Sequence, residues 1–316
     1  MLATLVDEPF DDDGWIFETK WDGVRAIGTI RADRSVELIS RTGHDLLRQF
    51  PEFEDLARAI RGRPAVVDGE IVSLDRAGKS SFQRLQARLN RQSPSLALID
   101  EVPATYAVFD LIHAAGRDLR PLPLAGRKAQ LERALRPGVK NVVYSRHVVG
   151  AGIKAYRFAA KRGLEGIIAK RLSSPYRETR SRDWLKIKTQ HEQEFVIGGW
   201  TDPRGSRAHF GALLLGYYAD GGLQYAGRVG TGFDRKTLSA IMARLRAMPA
   251  ARCPFSGEPR TRERSHWVKP KLVAQIKFGE WTRDGSLRQP VFLGLRDDKR
   301  PREATRETPK RLGSAR

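Results

Sequence analysis

Glu18-Thr19-Lys20-Trp21-Asp22-Gly23-Val24-Arg25 sets two acids and two bases within eight residues, between the β-rich stretches Trp15–Lys20 and Val24–Arg31. β-Branched and aromatic residues favour strands and Gly23 favours a turn. Lys20 therefore falls at a strand end, where its amine can be held rigidly. A neutral lysine amine is a strong nucleophile, and partial desolvation with nearby cations lowers its pKa enough to supply one near pH 7. Taken alone, Lys-x-Asp-Gly fits equally a strand end and turn that carry solvated charges.

Outward from Lys20, charges repeatedly flank or enter apolar strands, where a charge is costly unless paired or ligand-bound. Ser40-Arg41-Thr42-Gly43 follows the strand Val36–Ser40, and Val67-Asp68-Gly69-Glu70-Ile71-Val72 sets Glu70 inside an apolar run. Tyr106-Ala107-Val108-Phe109-Asp110-Leu111 is another apolar strand with an aromatic, and Glu165-Gly166-Ile167-Ile168-Ala169-Lys170-Arg171 adds an acid and a base. Strict alternation would put Glu165 on the face opposite Lys170; either Gly166 marks a bulge or Glu165 precedes the strand. In Trp184-Leu185-Lys186-Ile187-Lys188 the lysines at i and i+2 share one strand face.

The chain has 316 residues, which predicts two domains at roughly 150 residues each. Helical spacing is expected over 47–61, Ser80–Asn90, Leu124–Leu135 and 151–162, and strands over Ala65–Leu74, Thr105–His113, Val142–Arg146, Ile167–Lys170 and Trp184–Ile187. After about residue 190 the texture changes to short strands with Gly-rich turns: Phe195–Trp200, Gly211–Tyr218, Leu223–Val229, Val273–Trp281 and Val291–Leu295. One helix, Asp234–Met248 with Asp234 as N-cap, follows the third of them. That order suits a small β-barrel of the OB type, and a sandwich nearly as well. Lys299–Arg316 reads as a solvated basic tail.

Lys plus Arg is 57 against 37 Asp plus Glu, a net charge of +20 that points to a polyanionic partner, nucleic acid first. No apolar run approaches the roughly 20 residues of a spanning helix, so no membrane partner is expected. With no secretory signal at the start and a single cysteine, Cys253, the reading is reducing cytoplasm.

In this order and spacing the charged motifs resemble those of the ATP-dependent DNA ligases, members of the covalent nucleotidyltransferase superfamily. The resemblance runs from about residue 1 to residue 304. Arg228–Phe233 and Pro290-Val291-Phe292-Leu293-Gly294-Leu295-Arg296-Asp297-Asp298-Lys299 are similar to the ligase module of bacterial non-homologous end-joining ligases. The implied fold is α+β: an adenylation domain with antiparallel sheets and flanking helices over 1–190, an OB-fold domain over 191–300, and a disordered tail over 301–316.

The resemblance also implies the chemistry. Lys20 would attack the α-phosphorus of ATP and carry AMP, which would pass to the 5′-phosphate of broken duplex DNA before the 3′-hydroxyl displaces it. Glu18, Arg25, Arg41, Glu70, Phe109, Arg180, Lys186 and Lys188 would bind the nucleotide, with Phe109 stacked on adenine, Glu18 near its amino group and Arg182 as alternative to Arg180. Asp22 would serve either the Lys20 turn or the nucleotide. Arg296 and Lys299 would reach the pyrophosphate when the second domain closes, about a hinge near Thr189–Glu194. Glu70 and Glu165 would hold Mg²⁺, or Mn²⁺. Arg25, Arg204 and Arg207 would contact DNA, and Arg260–Lys271 is a further candidate. Lys186 and Lys188 would help depress the Lys20 pKa. A monomeric, nucleoid-associated bacterial enzyme, either minimal or one module of a larger ligase and recruited by a Ku-like end-binding protein, completes the expectation. The rivals are an RNA ligase or GTP-using capping enzyme, and a basic DNA-binding scaffold without catalysis.

Overall fold

The computed structural model describes residues 1–89, 91–205 and 207–310. The chain divides into two compact units, Met1–Thr189 with the segment from Thr308 onward, and Gln190–Glu307.

In the first unit the strands are β1 (Leu2–Val6), β2 (Asp12–Thr19), β3 (Val24–Ile30), β4 (Val36–Ser40), β5 (Ala65–Val72), β6 (Thr105–Ala114), β7 (Arg117–Asp118), β8 (Val142–Tyr144), β9 (His147–Gly150), β10 (Gly166–Arg171) and β11 (Arg180–Lys188). The helices are α1 (Leu56–Ala59), α2 (Phe82–Leu89), α3 (Leu96–Glu101), α4 (Leu124–Ala134) and α5 (Gly152–Lys161). One sheet runs β1-β11-β10-β2-β9 and the other β4-β3-β5-β6-β7, with β8 beside β6. Pairing is antiparallel except for β1 with β11 and β6 with β8.

Alternation decides what each face does. In the first sheet Trp15, Phe17, Ile167, Ala169, Leu185 and Ile187 form one buried face, closed by Ala155 and Ala159 of α5. The opposite face carries Glu18, Ile168 and Lys186, which lie directly across from one another on β2, β10 and β11. In the second sheet Val24, Ala26, Val67, Ile71 and Tyr106 pack into the main core with Phe50 and Phe53, while Arg25 and Glu70 are register partners on the other face. A small cluster of Met1, Phe109, Ile112, Tyr176 and Trp184 joins the two sheets. The charged faces of the two sheets thus lie around this shared cluster.

Several expectations shift. Over 47–61 the structure has only a 3₁₀ turn, Pro51–Asp55, and the four-residue α1. Pro51 disfavours helix in the residue before it, which sets the start. Strand β1 and helix α3 had no clear periodic signal; α3 is capped by Ser95, whose side chain accepts from Leu98 N–H. Ser81 Oγ accepts from Arg84 N–H in the first turn of α2, and Asn90 lies outside the described residues.

The second unit has a five-stranded antiparallel sheet in the order β14-β13-β12-β15-β18, from β12 (His191–Thr201), β13 (Leu213–Ala219), β14 (Gly222–Val229), β15 (Ser265–Phe278) and β18 (Val291–Leu295), with the ribbon β16 (Glu280–Trp281) and β17 (Leu287–Arg288). Phe292 N–H donates to Thr231 O, so the loop after β14 meets β18 and the sheet curls toward closure. Gly232, at φ +92°, permits this: a Cβ there would lie 2.2 Å from Phe292 O. Helix α6 (Arg235–Arg246) follows β14, capped by Asp234, and buries Leu238, Ile241, Met242 and Leu245. This is the OB arrangement, as expected.

The segment expected as a solvated tail is tied down as far as Lys310. Ala304 O accepts from Tyr218 N–H, Thr305 O from Gln193, and Lys310 N–H donates to Leu5 O. Residues 301–307 pack on the second unit because backbone partners and the buried Ala304 methyl outweigh the charged composition.

Candidate active site

Lys20 stands immediately past β2. Its N–H donates to Gly166 O (2.9 Å), and a Cβ on Gly166 would lie 2.1 Å from Ile187 O, so only glycine lets β10 and β11 approach this closely. Glu165 precedes β10, as one of the two alternatives had it, and its carboxylate lies 2.5 Å from Lys20 Nζ. On the other side of the turn, a Cβ on Gly23 would lie 2.1 Å from Ile71 O. That close approach brings the turn against the end of β5, which carries Glu70. Asp22 is tied to α2: its carboxylate accepts from Phe82 N–H (2.9 Å) and its own N–H donates to Ser80 Oγ (3.0 Å). The carboxylate thereby serves the Lys20 turn and complements the helix N-terminus.

The electrostatics reverse one expectation. Burial favours the neutral amine of Lys20, but Glu165, Glu70 and Asp22 outweigh it and hold the group as an ammonium well above the ordinary lysine range. The expected lowering by neighbouring cations is absent here because carboxylates, not cations, are the groups that dominate around Nζ. One consequence is measurable. Glu165→Gln should move the alkaline onset of Lys20 acylation by an amine-reactive reagent to lower pH, since removing the anion lowers the pKa. An unchanged or higher onset, read by peptide mass spectrometry, would refute the pairing.

Arg25 is locked in place. It makes a bidentate pair with Asp68 (2.9 and 2.5 Å), donates to Met1 O, and is joined by Tyr176, whose hydroxyl donates to the same carboxylate (2.9 Å). Phe109 is buried between the sheets, edge-on to Trp184, with the Lys170 ammonium 4.3 Å from its ring centre. Glu18 is buried with Lys128 at 2.7 Å and Lys170 at 2.8 Å.

Residues 1–188 match the family model described as "ATP dependent DNA ligase domain", and residues 206–299 match "ATP dependent DNA ligase C terminal region". The chain belongs to the ATP-dependent DNA ligases. The chain is 39% identical over 314 residues to the multifunctional non-homologous end joining protein LigD of Pseudomonas aeruginosa, covering 98% of this chain and 36% of that protein. It is 36% identical over 298 residues to the LigD of Mycobacterium tuberculosis, covering 93% of this chain and 37% of that protein. It therefore spans little more than a third of those relatives. A solved structure of mycobacterial DNA ligase D complexed with ATP and MES is similar at 34% identity and a TM-score of 0.66, over 97% of this chain and 98% of that one.

Lys20 is brought together with Glu165 and Glu70, and Glu18 and Lys186 lie on one face of the same sheet, with Lys188 opposite Gly166 in the register of β10 and β11. Arg41 lies half-buried in the turn after β4, and Arg180 donates to Ala3 O at the start of β11. In the second unit Arg296 pairs bidentately with Asp298 (2.8 Å) and Lys299 with Glu194 (3.0 Å). Arg204 is exposed and paired with Glu263. Arg207 donates to Gly230 O and lies near the Phe210 and Phe233 rings, which places it in the packing of its own unit.

The sequence reading missed the second partners: Asp68, Lys128, Lys170, Arg127 and Tyr176. Asp68 and Lys170 stood inside quoted motifs, each a charge in an apolar strand. Lys128 and Arg127 carried no such signal, because basic residues on a helix are ordinarily solvated.

Among the described residues no helix is long and apolar enough to cross a membrane. No group of three potential metal ligands occurs among them either. Glu165 and Glu70, the carboxylates that act on Lys20, are of the donor type Mg²⁺ takes, and Mg²⁺ needs few protein ligands.

Proposed function

We propose that the protein seals 3′-hydroxyl/5′-phosphate breaks in duplex DNA through a lysyl-AMP on Lys20. The observation that carries the reading is the Lys20 ammonium held at the end of β2 against Glu165, with Glu70 and Asp22 close enough to act on it and Lys186 two strands away in the same sheet. Lys20 first loses one ammonium proton to solvent; its nitrogen then bonds to the α-phosphorus as the bond to pyrophosphate breaks, and the second proton leaves the nitrogen for solvent or the released pyrophosphate. AMP then passes to the 5′-phosphate, and the 3′-hydroxyl displaces it. All three are in-line displacements at phosphorus, so positioning and charge neutralisation supply most of the acceleration.

Lys186 and Lys188 supply cations for the triphosphate, and Arg25, Arg41 and Arg180 serve nucleotide or nick phosphates. The rigid Arg25–Asp68 pair suits fixed phosphate geometry. Glu70 and Glu165 would hold a divalent cation, Mg²⁺ or Mn²⁺, which would neutralise the triphosphate and draw Glu165's charge off the Lys20 ammonium. Phe109 is our candidate for the adenine platform. Arg296 and Lys299 are assigned to the pyrophosphate; each must first leave its carboxylate partner within the second unit. Arg204 is retained as a DNA contact, and the net charge of +20 fits sequence-independent binding to phosphates.

The relatives' names place them in non-homologous end joining. We extend that setting to this chain: a monomer in the bacterial cytoplasm that joins ends held by a Ku-like protein. Incubation with ATP and Mg²⁺ should add one AMP to Lys20, visible by intact and peptide mass spectrometry. Labelling by GTP and not by ATP would favour a capping-type enzyme, and a preference for nicked RNA would favour an RNA ligase.

A further inference from the structure

Lys128 on α4 has no part in the chemistry above, yet its ammonium is buried and joins three elements. It donates to Glu18 Oε1 on β2 (2.7 Å), to Ser145 O in the turn between β8 and β9 (3.0 Å), and to Phe109 O on β6 (3.4 Å). A lysine ammonium has three N–H donors, and all three are spent. Its partners thus come from β2, from β6 and from the turn between β8 and β9. Ser145 Oγ in turn accepts from Trp21 Nε1 (3.0 Å), so the residue after the nucleophile hangs on the same turn.

Glu18 receives Lys128 on Oε1, and Lys170 (2.8 Å) and Ser145 Oγ (3.3 Å) on Oε2. A carboxylate offers about four lone-pair sites, which leaves one, on the oxygen that Lys128 orients. Burial would raise the Glu18 carboxyl, but Lys128 and Lys170 reverse that and hold it below the usual carboxylate range. The group is thus an acceptor only. It precedes Lys20 by two residues, about 7 Å along a strand, roughly the span of a sugar between an α-phosphate on Lys20 and its base.

We propose that Lys128 is a positioning residue that fixes Glu18 as the acceptor for the exocyclic amino group of the nucleobase, so that α4 takes part in selecting adenine over guanine. An ionised carboxylate facing an amino group is favourable; facing the guanine carbonyl oxygen it sets acceptor against acceptor, which is how a buried polar group rejects the wrong ligand. The inference rests on Lys20 being the nucleotidyl acceptor.

The test is the rate of nucleotidyl transfer to the full chain as ATP or GTP is varied with Mg²⁺. Lys128→Met should raise KM for ATP on the order of ten- to hundred-fold, the scale of one hydrogen bond to a charged group, with a smaller change in kcat and a narrower ATP-over-GTP preference. Lys128→Arg, which keeps the charge, should restore part of the loss. Glu18→Gln should raise KM similarly, and combining it with Lys128→Met should cost less than the sum, as expected of residues acting through one contact. Should Lys128→Met not fold, Lys128→Arg and Glu18→Gln still decide. Unchanged KM and nucleotide preference in the folded variants, with only the melting temperature moved, would overturn the proposal. A wild-type chain that takes up neither nucleotide would overturn the reading of Lys20 instead.

Discussion

Lys20→Ala is expected to abolish transfer of AMP to the protein and the sealing of a 5′-phosphorylated nick supplied with ATP. The loss should be on the order of 10⁴-fold or more, the scale seen when a covalent nucleophile is removed. Lys20→Arg makes the sharper comparison. It keeps a cation beside Glu165, which otherwise loses its partner at 2.5 Å, but arginine stays protonated and supplies no nucleophile. Both variants should fail in adenylylation, while Lys20→Arg should keep the wild-type melting temperature more closely. Gel sealing assays and peptide mass spectrometry read the outcome. Undiminished sealing by either variant, or AMP on another residue, would refute the lysyl-AMP route. A supplied pre-adenylylated nick bypasses the first step, so residual joining of that substrate would separate chemical loss from misfolding.

The strands that bear the charged residues were legible because those charges interrupt apolar runs. Lys186 and Lys188 sit where a period-two pattern puts them on one face, and β11 keeps that pattern around the buried Ile187; β2 is instead buried throughout Trp15–Glu18, and Glu18 and Glu70 are placed by their register with Ile168 and Arg25. The position of Glu165 was not legible, since its place depends on how Gly166 meets Ile187 across the sheet. The charge state of Lys20 was misread for a related reason. Sequence shows which charges exist, while the sign that prevails at an amine depends on which lie within a few ångströms. Periodicity also failed at 47–61, where apolar spacing persists but Pro51 limits helix. The tail misled through composition alone, because two backbone carbonyls and one methyl suffice to seat it.

Asp110→Leu should be the most destabilising single change among the buried ion pairs of the first unit. Asp110 and Arg127 are both fully buried and joined bidentately at 2.8 and 3.0 Å, and Arg127 also donates to Leu122 O and Ser174 O. Removing the carboxylate strands a guanidinium away from water with carbonyl partners only. Breaking one side of a buried pair typically costs about 3–5 kcal/mol, which for a unit of this size lowers the melting temperature by roughly 6–20 °C. Asp110→Leu combined with Arg127→Met removes the stranded charge as well, and should recover most of that loss, since an apolar pair of similar volume can replace a buried ion pair. The functional cost should persist in the double variant if Asp110 also sets the neighbouring Phe109. A single variant that melts like the wild type would mean that the ion pair is not what holds β6 to α4. A double variant that melts no higher than the single one would show that the two groups do not act as a pair.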